Sequence, residues 1–145
     1  MQLKSHSINM TKTQLFSIFF SLVLVVTSCK KEDDDHDHSS TDTTKPAVSI
    51  SSPAAMQVYN SGDTVRIKGL VTDASLHELL IRIVKDSDQT ELFRSTPVVH
   101  DLTSYSIDTY WKSSVTDHTN ATLIISAEDH SANIGSDTVH IHIMP

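Results

Sequence analysis

The chain has 145 residues, with 18 acidic groups against 11 basic ones, a single Cys, three Gly and a net charge of −7. This length suits one domain of ordinary size, and one Cys excludes both an internal disulfide and a zinc site built from several cysteines. The acidic balance argues against nucleic acid as a partner, because a nucleic-acid binder needs a basic face that displaces counterions from phosphate.

Residues 1–28 predict a signal peptide. Their only charged residues are Lys4 and Lys12, and an apolar run from Leu15 to Val26 follows. Spanning a bilayer takes roughly 20 apolar residues, so this run is short for a transmembrane helix and has the length of the apolar region of a secretory signal. Because the leader holds two basic groups and no acidic one, the rest of the chain has a net charge of −9.

The apolar run ends in four residues that resemble a bacterial lipobox, namely Val26, Thr27, Ser28 and Cys29. Small side chains before the cleaved bond let the backbone enter a peptidase, and only a thiol can form the thioether to diacylglycerol. The resemblance implies cleavage after residue 28 and acylation of Cys29 with palmitate-type chains, and two chains anchor a protein stably where one binds marginally. An ordinary signal peptide followed by an unmodified Cys is the alternative. We expect Cys29 to be a membrane anchor, and neither a nucleophile nor a metal ligand.

Residues 29–45 predict a disordered acidic tether. After Cys29 the segment has no aliphatic or aromatic residue, so it cannot bury enough surface to offset the entropy of ordering. Its acidic groups also repel one another and extend it. Within it, Lys31, Glu32 and Asp33 resemble the export signal of Bacteroidota surface lipoproteins, which implies a position on the outer face of the outer membrane. A plain hydrophilic spacer on a lipoprotein that faces the periplasm is the alternative.

Residues 46–145 predict one all-β domain. Of these 100 residues, 29 are Val, Ile or Thr, the β-branched types that favour strands. Apolar and polar residues alternate in six stretches, whereas Leu76–Val84 is ambiguous between strand and helix. The stretches contain Val48 and Ile50, Val65 to Val71, Ile81 and Ile83, Tyr105 and Ile107, Leu123 to Ala127, and Val139 to Ile143. Turn-forming residues separate them, so the pattern indicates a two-sheet sandwich of about seven short strands.

Several segments of this domain resemble bacterial immunoglobulin-like modules. They are Lys45–Ile50 with Pro53, Gly62–Gly69, Val71–Asp73 with Leu76 and Leu79–Ile83, and Ala127–Asn133 followed by Thr138–Ile143. Ala132 stands where these modules usually have Gly, just before the last strand. The resemblance implies an immunoglobulin-like antiparallel β-sandwich. The whole chain is similar to small Bacteroidota lipoproteins with one such domain, a group that has no assigned activity.

Four histidines are candidate metal ligands. In the tether, His36 and His38 alternate with aspartates, and both side-chain types bind divalent cations, although an unstructured chelator must be ordered on binding. His140 and His142 lie two residues apart on a predicted strand and so share one face. A hairpin centred near Asn133 would place Ser126 and Ile124 opposite them, and neither completes a metal site. We therefore favour solvent-exposed histidines and a solvated tether over metal binding.

Two further patterns concern the surface of the domain. Asp-Thr followed by Thr or an aliphatic residue resembles the pattern that is O-glycosylated on exported Bacteroidota proteins, and its acceptors would be Thr43, Thr64 and Thr138. The neighbours Tyr110 and Trp111 should point to opposite faces of a strand. We expect Trp111 in the core, with an exposed aromatic platform for sugar stacking as the alternative.

No motif of a serine hydrolase, a zinc protease or a phosphate-binding loop occurs in the chain, so we expect no enzyme activity and no cofactor. We expect an outer-membrane lipoprotein, held by its lipid and facing the cell exterior. It would act as a non-catalytic binding or structural module, with a glycan or an envelope protein as its ligand. A metal-handling envelope lipoprotein that binds zinc or copper through its histidines is the alternative. A small hydrolase whose Asp and His residues converge in the fold is a second one.

Overall fold

The computed structural model describes residues 42–145, which form eight β-strands. They are β1 (Ala47–Ser52), β2 (Gln57–Asn60), β3 (Thr64–Thr72), β4 (Leu76–Lys85), β5 (Glu91–Ser95), β6 (Ser104–Lys112), β7 (Thr119–Asp129) and β8 (Ile134–Met144). Within this range no helix is long and apolar enough to cross a membrane. The predicted signal peptide, the lipidation site and most of the predicted tether lie outside the described residues.

The strands form two sheets. One has three strands in the order β1-β3-β6, and the other has five in the order β2-β8-β7-β4-β5. All neighbours pair antiparallel except the short edge strand β2, which runs parallel to β8. The chain changes sheets at every connection except β4–β5 and β7–β8, which are hairpins within the larger sheet. The fold is therefore the predicted immunoglobulin-like antiparallel β-sandwich.

The hydrophobic core lies between the two sheets and is built by the predicted alternation. On β3, Val65, Ile67 and Val71 are fully buried, whereas Arg66 and Lys68 between them are exposed. The remaining fully buried side chains include Leu76, Ile81, Ile83, Leu123, Ile125, Ile141 and Ile143. Each strand contributes every second residue to the core, so the buried side chains follow the period-two alternation and do not come from long apolar runs.

The structure has eight strands, against about seven expected. The two strands without a signal in the alternation are β2 and β5, which are four and five residues long and lie at the edges of the larger sheet. The ambiguous segment Leu76–Val84 is a strand, β4. It lies between β7 and β5, and its apolar content exceeds strict alternation because Val84 is buried next to Ile83 at a register shift.

The predicted register of the last hairpin is wrong. The hairpin is centred near residue 131, two residues before the expected centre, so the partner of each histidine shifts by four positions: His140 pairs with Thr122 and His142 pairs with Asn120. The physical reason is the turn after β7. One carboxylate oxygen of Asp129, Oδ1, accepts hydrogen bonds from the backbone N–H groups of Ser131 at 2.7 Å and Asn133 at 2.8 Å. This Asx-type turn closes the hairpin before residue 133.

The chain packs against β8 as it enters the sandwich. Pro46 is buried, and its carbonyl oxygen lies where a side chain on Gly135 would stand, so this close approach requires glycine. A few residues further, the backbone N–H of Ile50 donates to Asp137 Oδ2 at 2.9 Å. These contacts fix the first strand against the last one.

Candidate metal centre

Three histidines from distant parts of the chain meet at one end of the sandwich. His77 lies on β4, His100 lies in the loop between β5 and β6, and His130 lies in the turn after β7. Their ring centroids are 5.2 Å apart for His77 and His100, 4.8 Å for His77 and His130, and 4.6 Å for His100 and His130. Each ring offers one nitrogen such that all three nitrogens lie within 4.8 Å of one another. We call these residues the three-histidine cluster; none of them was predicted as a site residue.

Backbone contacts around Leu76 position the first two histidines. The N–H of Leu76 donates to Leu102 O at 2.9 Å, and the N–H of Asp101 donates to Leu76 O at 2.8 Å. These two bonds tie the loop that carries His100 to the start of β4. The register shifts between Leu76 and Glu78, and such a bulge re-aims the side chain that lies within it. Leu76 and Val99 are buried, so both histidines lie next to fixed apolar anchors.

The third histidine is held by the turn that sets the hairpin register. Asp129 is 2% exposed, and its Oδ2 accepts a hydrogen bond from Asn133 Nδ2 at 2.8 Å. Burial acts to raise the pKa of Asp129, but the hydrogen bonds from Asn133 and Ser131 outweigh it and lower the pKa below its ordinary value. The N–H of His130 donates to Ser75 O at 3.3 Å, which links this turn to the segment before β4.

The same turn reaches back to the point where the chain enters the domain. Asn133 Nδ2 also donates to the backbone carbonyl of Asp42 at 3.1 Å. The Asn133 side chain therefore joins the Asp129 carboxylate on one side to the first described residue of the chain on the other. The predicted tether thus reaches the domain next to the turn that carries His130.

Asp101 contacts two members of the cluster. Its Oδ2 lies 2.9 Å from His100 Nδ1, and its Oδ1 lies 3.0 Å from His130 Nε2. The hydrogen bond from His100 is the main cause that lowers the pKa of Asp101, with smaller contributions from both histidines. The contact with His130 is short but lacks hydrogen-bond geometry, so we regard it as electrostatic. Asp101 has φ 64°, a left-handed conformation that Asp adopts more readily than most residues.

Two shielded ring nitrogens of the cluster make no hydrogen bond within residues 42–145. His77 Nδ1 and His130 Nε2 are both shielded from solvent, and neither has a hydrogen-bond partner among residues 42–145. A buried polar atom without a partner costs about 1–3 kcal/mol. A metal ion would give His77 Nδ1 a partner and would add a second contact to His130 Nε2, beside Asp101 Oδ1 at 3.0 Å. A neutral imidazole nitrogen is a good ligand for zinc, copper, nickel or cobalt.

A cavity of about 310 Å³ adjoins the cluster. His77 and His100 form part of its wall, together with Glu78, Leu79, Leu80, Arg94, Thr96, Pro97, Val98 and Val99. Arg94 lies 3.2 Å from Glu91, so its positive charge is paired. Val98 is 88% exposed at the rim, which gives this end of the molecule an apolar edge beside the imidazoles.

The predicted histidine pair on β8 lies elsewhere, on the outer face of the larger sheet. His140 Nδ1 lies 2.9 Å from Thr122 Oγ1, and His142 Nδ1 lies 2.7 Å from Asn120 Oδ1. We call His140 and His142 the β8 histidine pair. Among residues 42–145 the only compact group of three or more potential ligands is the three-histidine cluster; near this pair, the Asp86 carboxylate lies 3.7 Å from His140 Nδ1. Metal binding there stays a prediction.

The other predicted site residues are distributed as follows. The lipobox residues Val26, Thr27 and Ser28, the acylation site Cys29, the export signal Lys31, Glu32 and Asp33, and His36 and His38 lie outside the described residues. The proposed acceptors Thr43, Thr64 and Thr138 are all exposed, and their glycosylation stays a prediction. Trp111 is partly buried against the core as expected, while Tyr110 is 62% exposed on the opposite face.

Comparisons with known proteins give distant structural similarities. No model of a protein family and no curated protein matches the chain. One similar structure is an engineered protein, 14% identical over 70% of this chain, with a TM-score of 0.49. Another contains fibronectin(III)-like modules of CbhA from Clostridium thermocellum, 17% identical over 69% of this chain, with a TM-score of 0.45. The chain spans 20% of the first and 47% of the second. Both TM-scores are below 0.5, so the fold rests on the strand order of this chain itself.

Proposed function

We propose that this chain is an outer-membrane lipoprotein, anchored through Cys29 and facing the cell exterior, whose β-sandwich acts as a non-catalytic binding module. The observation that supports the binding role is the convergence of the three-histidine cluster and the 310 Å³ cavity at one end of the sandwich. The lipobox and the acidic segment that follows it support the anchor and the location. A glycan or another envelope protein is the class of partner that we propose for this end.

The arrangement of hydroxyls and histidines supports a module without catalysis. Among residues 42–145, Thr122 Oγ1 and His140 Nδ1 at 2.9 Å place a hydroxyl beside an imidazole, as in a nucleophile with its base. However, Thr122 Oγ1 lies 2.6 Å from Asp86 Oδ1 and donates its proton to that carboxylate, so His140 is not placed to accept it. Both side chains also lie on an open sheet face, whereas an acyl-transfer site needs a pocket that excludes water.

Metal handling through His36, His38, His140 and His142 remains the alternative function. One observation favours metal binding by His140 and His142. Partners engage Nδ1 of both rings in the β8 histidine pair, which orients each ring and makes Nε2 the nitrogen available to an ion. Outer hydrogen bonds of this kind accompany most metal-bound histidines.

The anchor is tested with the full-length protein in its native host. The Cys29→Ser variant should lose incorporation of labelled palmitate and move from the membrane fraction to the soluble fraction. The matched control is Ser28→Ala, which keeps a small residue before the Cys and should stay lipidated. Unchanged palmitate labelling and membrane fractionation of Cys29→Ser would contradict the anchor.

The location is tested by digesting intact cells with proteinase K. We expect the wild-type domain to be degraded. A variant with Lys31, Glu32 and Asp33 all changed to Ala should remain lipidated but become protected, because only its export to the outer face is lost. Protection of the wild type on intact cells, with degradation after the outer membrane is opened, would place the protein in the periplasm and overturn the exterior location.

A further inference from the structure

We infer that His77, His100 and His130 form a binding site for a divalent transition-metal ion of the zinc and copper class. The inference rests on the proposed binding role of this end of the domain and adds a metal ion to it, beside the glycan or envelope protein proposed as its partner. It concerns residues different from the four histidines that sequence spacing suggests, since the cluster is assembled by the fold from β4, the β5–β6 loop and the β7–β8 turn.

The first argument is distance. In a tetrahedral site with metal–nitrogen bonds of about 2.0–2.1 Å, neighbouring ligand nitrogens lie about 3.3 Å apart. The three nitrogens of the cluster already lie within 4.8 Å of one another. The difference is about 1.5 Å or less for each pair of nitrogens, a displacement that rotation of the imidazole side chains can supply.

The second argument is unsatisfied polarity. His77 Nδ1 and His130 Nε2 are shielded from water without a hydrogen-bond partner in the described part of the chain. Such atoms are rare in folded proteins, and each one calls for an explanation. A bound cation would accept a lone pair from each nitrogen. It would give His77 Nδ1 the partner that it lacks, and it would also join His130 Nε2, which lies 3.0 Å from Asp101 Oδ1.

The third argument is charge. A dication placed among three neutral imidazoles needs negative charge nearby to offset the loss of its water shell. Asp101 supplies it, because its carboxylate lies within 3.0 Å of nitrogens on His100 and His130. The one cationic side chain in the wall of the adjoining cavity, Arg94, is paired with Glu91 at 3.2 Å.

The fourth argument is preorganisation. Backbone hydrogen bonds join Leu76 to Leu102 and Asp101, and His130 to Ser75. The segments that carry the three ligands are therefore connected to one another before any ion binds, which reduces the ordering cost of binding. Three histidine ligands leave the fourth position of a tetrahedral ion to water or to a donor from a partner, and the adjoining cavity has room for such a donor.

The experiment uses the mature full-length lipoprotein in detergent and zinc ions as the probe. Zn²⁺ is titrated in competition with a chromophoric chelator, and binding of Co²⁺ is followed by the intense visible bands of tetrahedral coordination. We expect one tight site, and we expect His77→Gln, His100→Gln and His130→Gln each to weaken it about ten-fold or more. The double variant His140→Gln, His142→Gln is the matched control and should change the affinity less than about two-fold.

A second measurement does not depend on whether the variants fold. Imidazole ¹⁵N resonances of the wild-type protein are followed during the Zn²⁺ titration. Saturable shifts of His77, His100 and His130 at one equivalent support the site. Shifts confined to the tether histidines or the β8 histidine pair, or no shift at all, would overturn it.

The outcomes for this site and for the proposed function are separable. A protein that binds Zn²⁺ at the cluster but is not released from membranes by Cys29→Ser would contradict the anchor alone. A protein that is lipidated and exposed but shows no zinc-dependent change at the cluster would contradict the metal site alone.

Discussion

The three-histidine cluster and the β8 histidine pair differ in how the chain brings them together. His140 and His142 are two residues apart on one strand, so their shared face follows from strand geometry alone. His77, His100 and His130 come from three separate segments, and only the order of strands in the larger sheet and its loops makes them neighbours. In the local pair His140 is exposed, His142 is half-buried, and each ring has a hydrogen-bonding partner, whereas the assembled cluster contains two shielded nitrogens without a hydrogen bond. Spacing in sequence therefore identifies histidines that are neighbours along one strand. Only the fold identifies histidines from separate segments that lie close enough to share a metal ion.

The largest expected effect is on the packing that supports the cluster. Leu76→Ala removes a fully buried side chain next to His77 and should lower the free energy of unfolding by about 2–5 kcal/mol. Urea denaturation measures this loss. The matched control is Val58→Ala on β2, in register with His142 and exposed, which should change stability by less than about 0.5 kcal/mol. Equal effects of the two substitutions would contradict the view that the cluster end depends on core packing.

The turn that carries His130 should be the next most sensitive element. Asp129→Ala leaves the N–H groups of Ser131 and Asn133 without their acceptor, and we expect a loss of about 1–3 kcal/mol in the free energy of unfolding. Asp129→Asn keeps one acceptor oxygen and should lose less. A hydrogen-exchange measurement that shows no faster exchange of the Ser131 and Asn133 amides in Asp129→Ala would contradict this role.

The same turn contains a strained residue whose replacement should be stabilising. Ala132 has φ 62°, a conformation that costs a residue with a side chain roughly 1 kcal/mol. Ala132→Gly removes this cost but makes the unfolded chain more flexible, so we expect a net gain of about 0.5 kcal/mol. Thermal unfolding of the variant and of the control Ala121→Gly, a buried strand position, should move in opposite directions.

A smaller effect, confined to alkaline pH, is expected beside the β8 histidine pair. Tyr59 on β2 pairs with Ile143, and burial, followed by the nearby charge of Asp63, raises its pKa. A raised folded-state pKa favours the neutral phenol, so its contribution is complete below the ordinary tyrosine value of about 10 and is lost as the pH rises through the folded value. Wild-type stability should therefore fall above about pH 10. Tyr59→Phe should lack this part of the decline, and an unchanged pH profile would contradict the assignment.

The smallest effect is expected at the β8 histidine pair itself. Asn120→Ala removes the partner of His142 Nδ1, but the site is on the surface, and the free energy of unfolding should change by less than about 0.5 kcal/mol. The zinc affinity of the three-histidine cluster should not change. A marked loss of stability or of cluster affinity in this variant would show that the two histidine groups are coupled.

The alternation of apolar residues predicted the two-sheet fold because it reports directly on which side chains face the core. Val65, Ile67 and Val71 are buried as the pattern indicates. The alternation did not predict the edge strands β2 and β5. A strand of four or five residues at the edge of a sheet buries too few side chains to show a clear apolar pattern. The register of the last hairpin failed for a different reason: it depends on where the Asp129 carboxylate closes the turn, and alternation alone does not specify that position.

The cluster was out of reach of spacing rules, because its members are separated by whole strands. A weaker signal exists in retrospect. His77, His100 and His130 each lie within a few residues of turn-forming Asp or Ser residues, such as Ser75, Asp101 and Asp129. In an antiparallel sandwich, turns between alternate strands gather at the same end. Histidines beside such turns are therefore candidates for convergence, but only the strand order decides which of them meet.

The bond from Asn133 to the carbonyl of Asp42 has a mechanical consequence. The tether that is predicted to connect the domain to lipid enters the sandwich at the same end as the three-histidine cluster. A pull on the predicted tether would act on the Asn133–Asp42 hydrogen bond, and therefore on the turn that carries His130. A ligand bound at the three-histidine cluster would therefore lie at the end of the domain where the predicted tether enters it. Binding of that ligand and a pull on the tether would both act on the turn that carries His130.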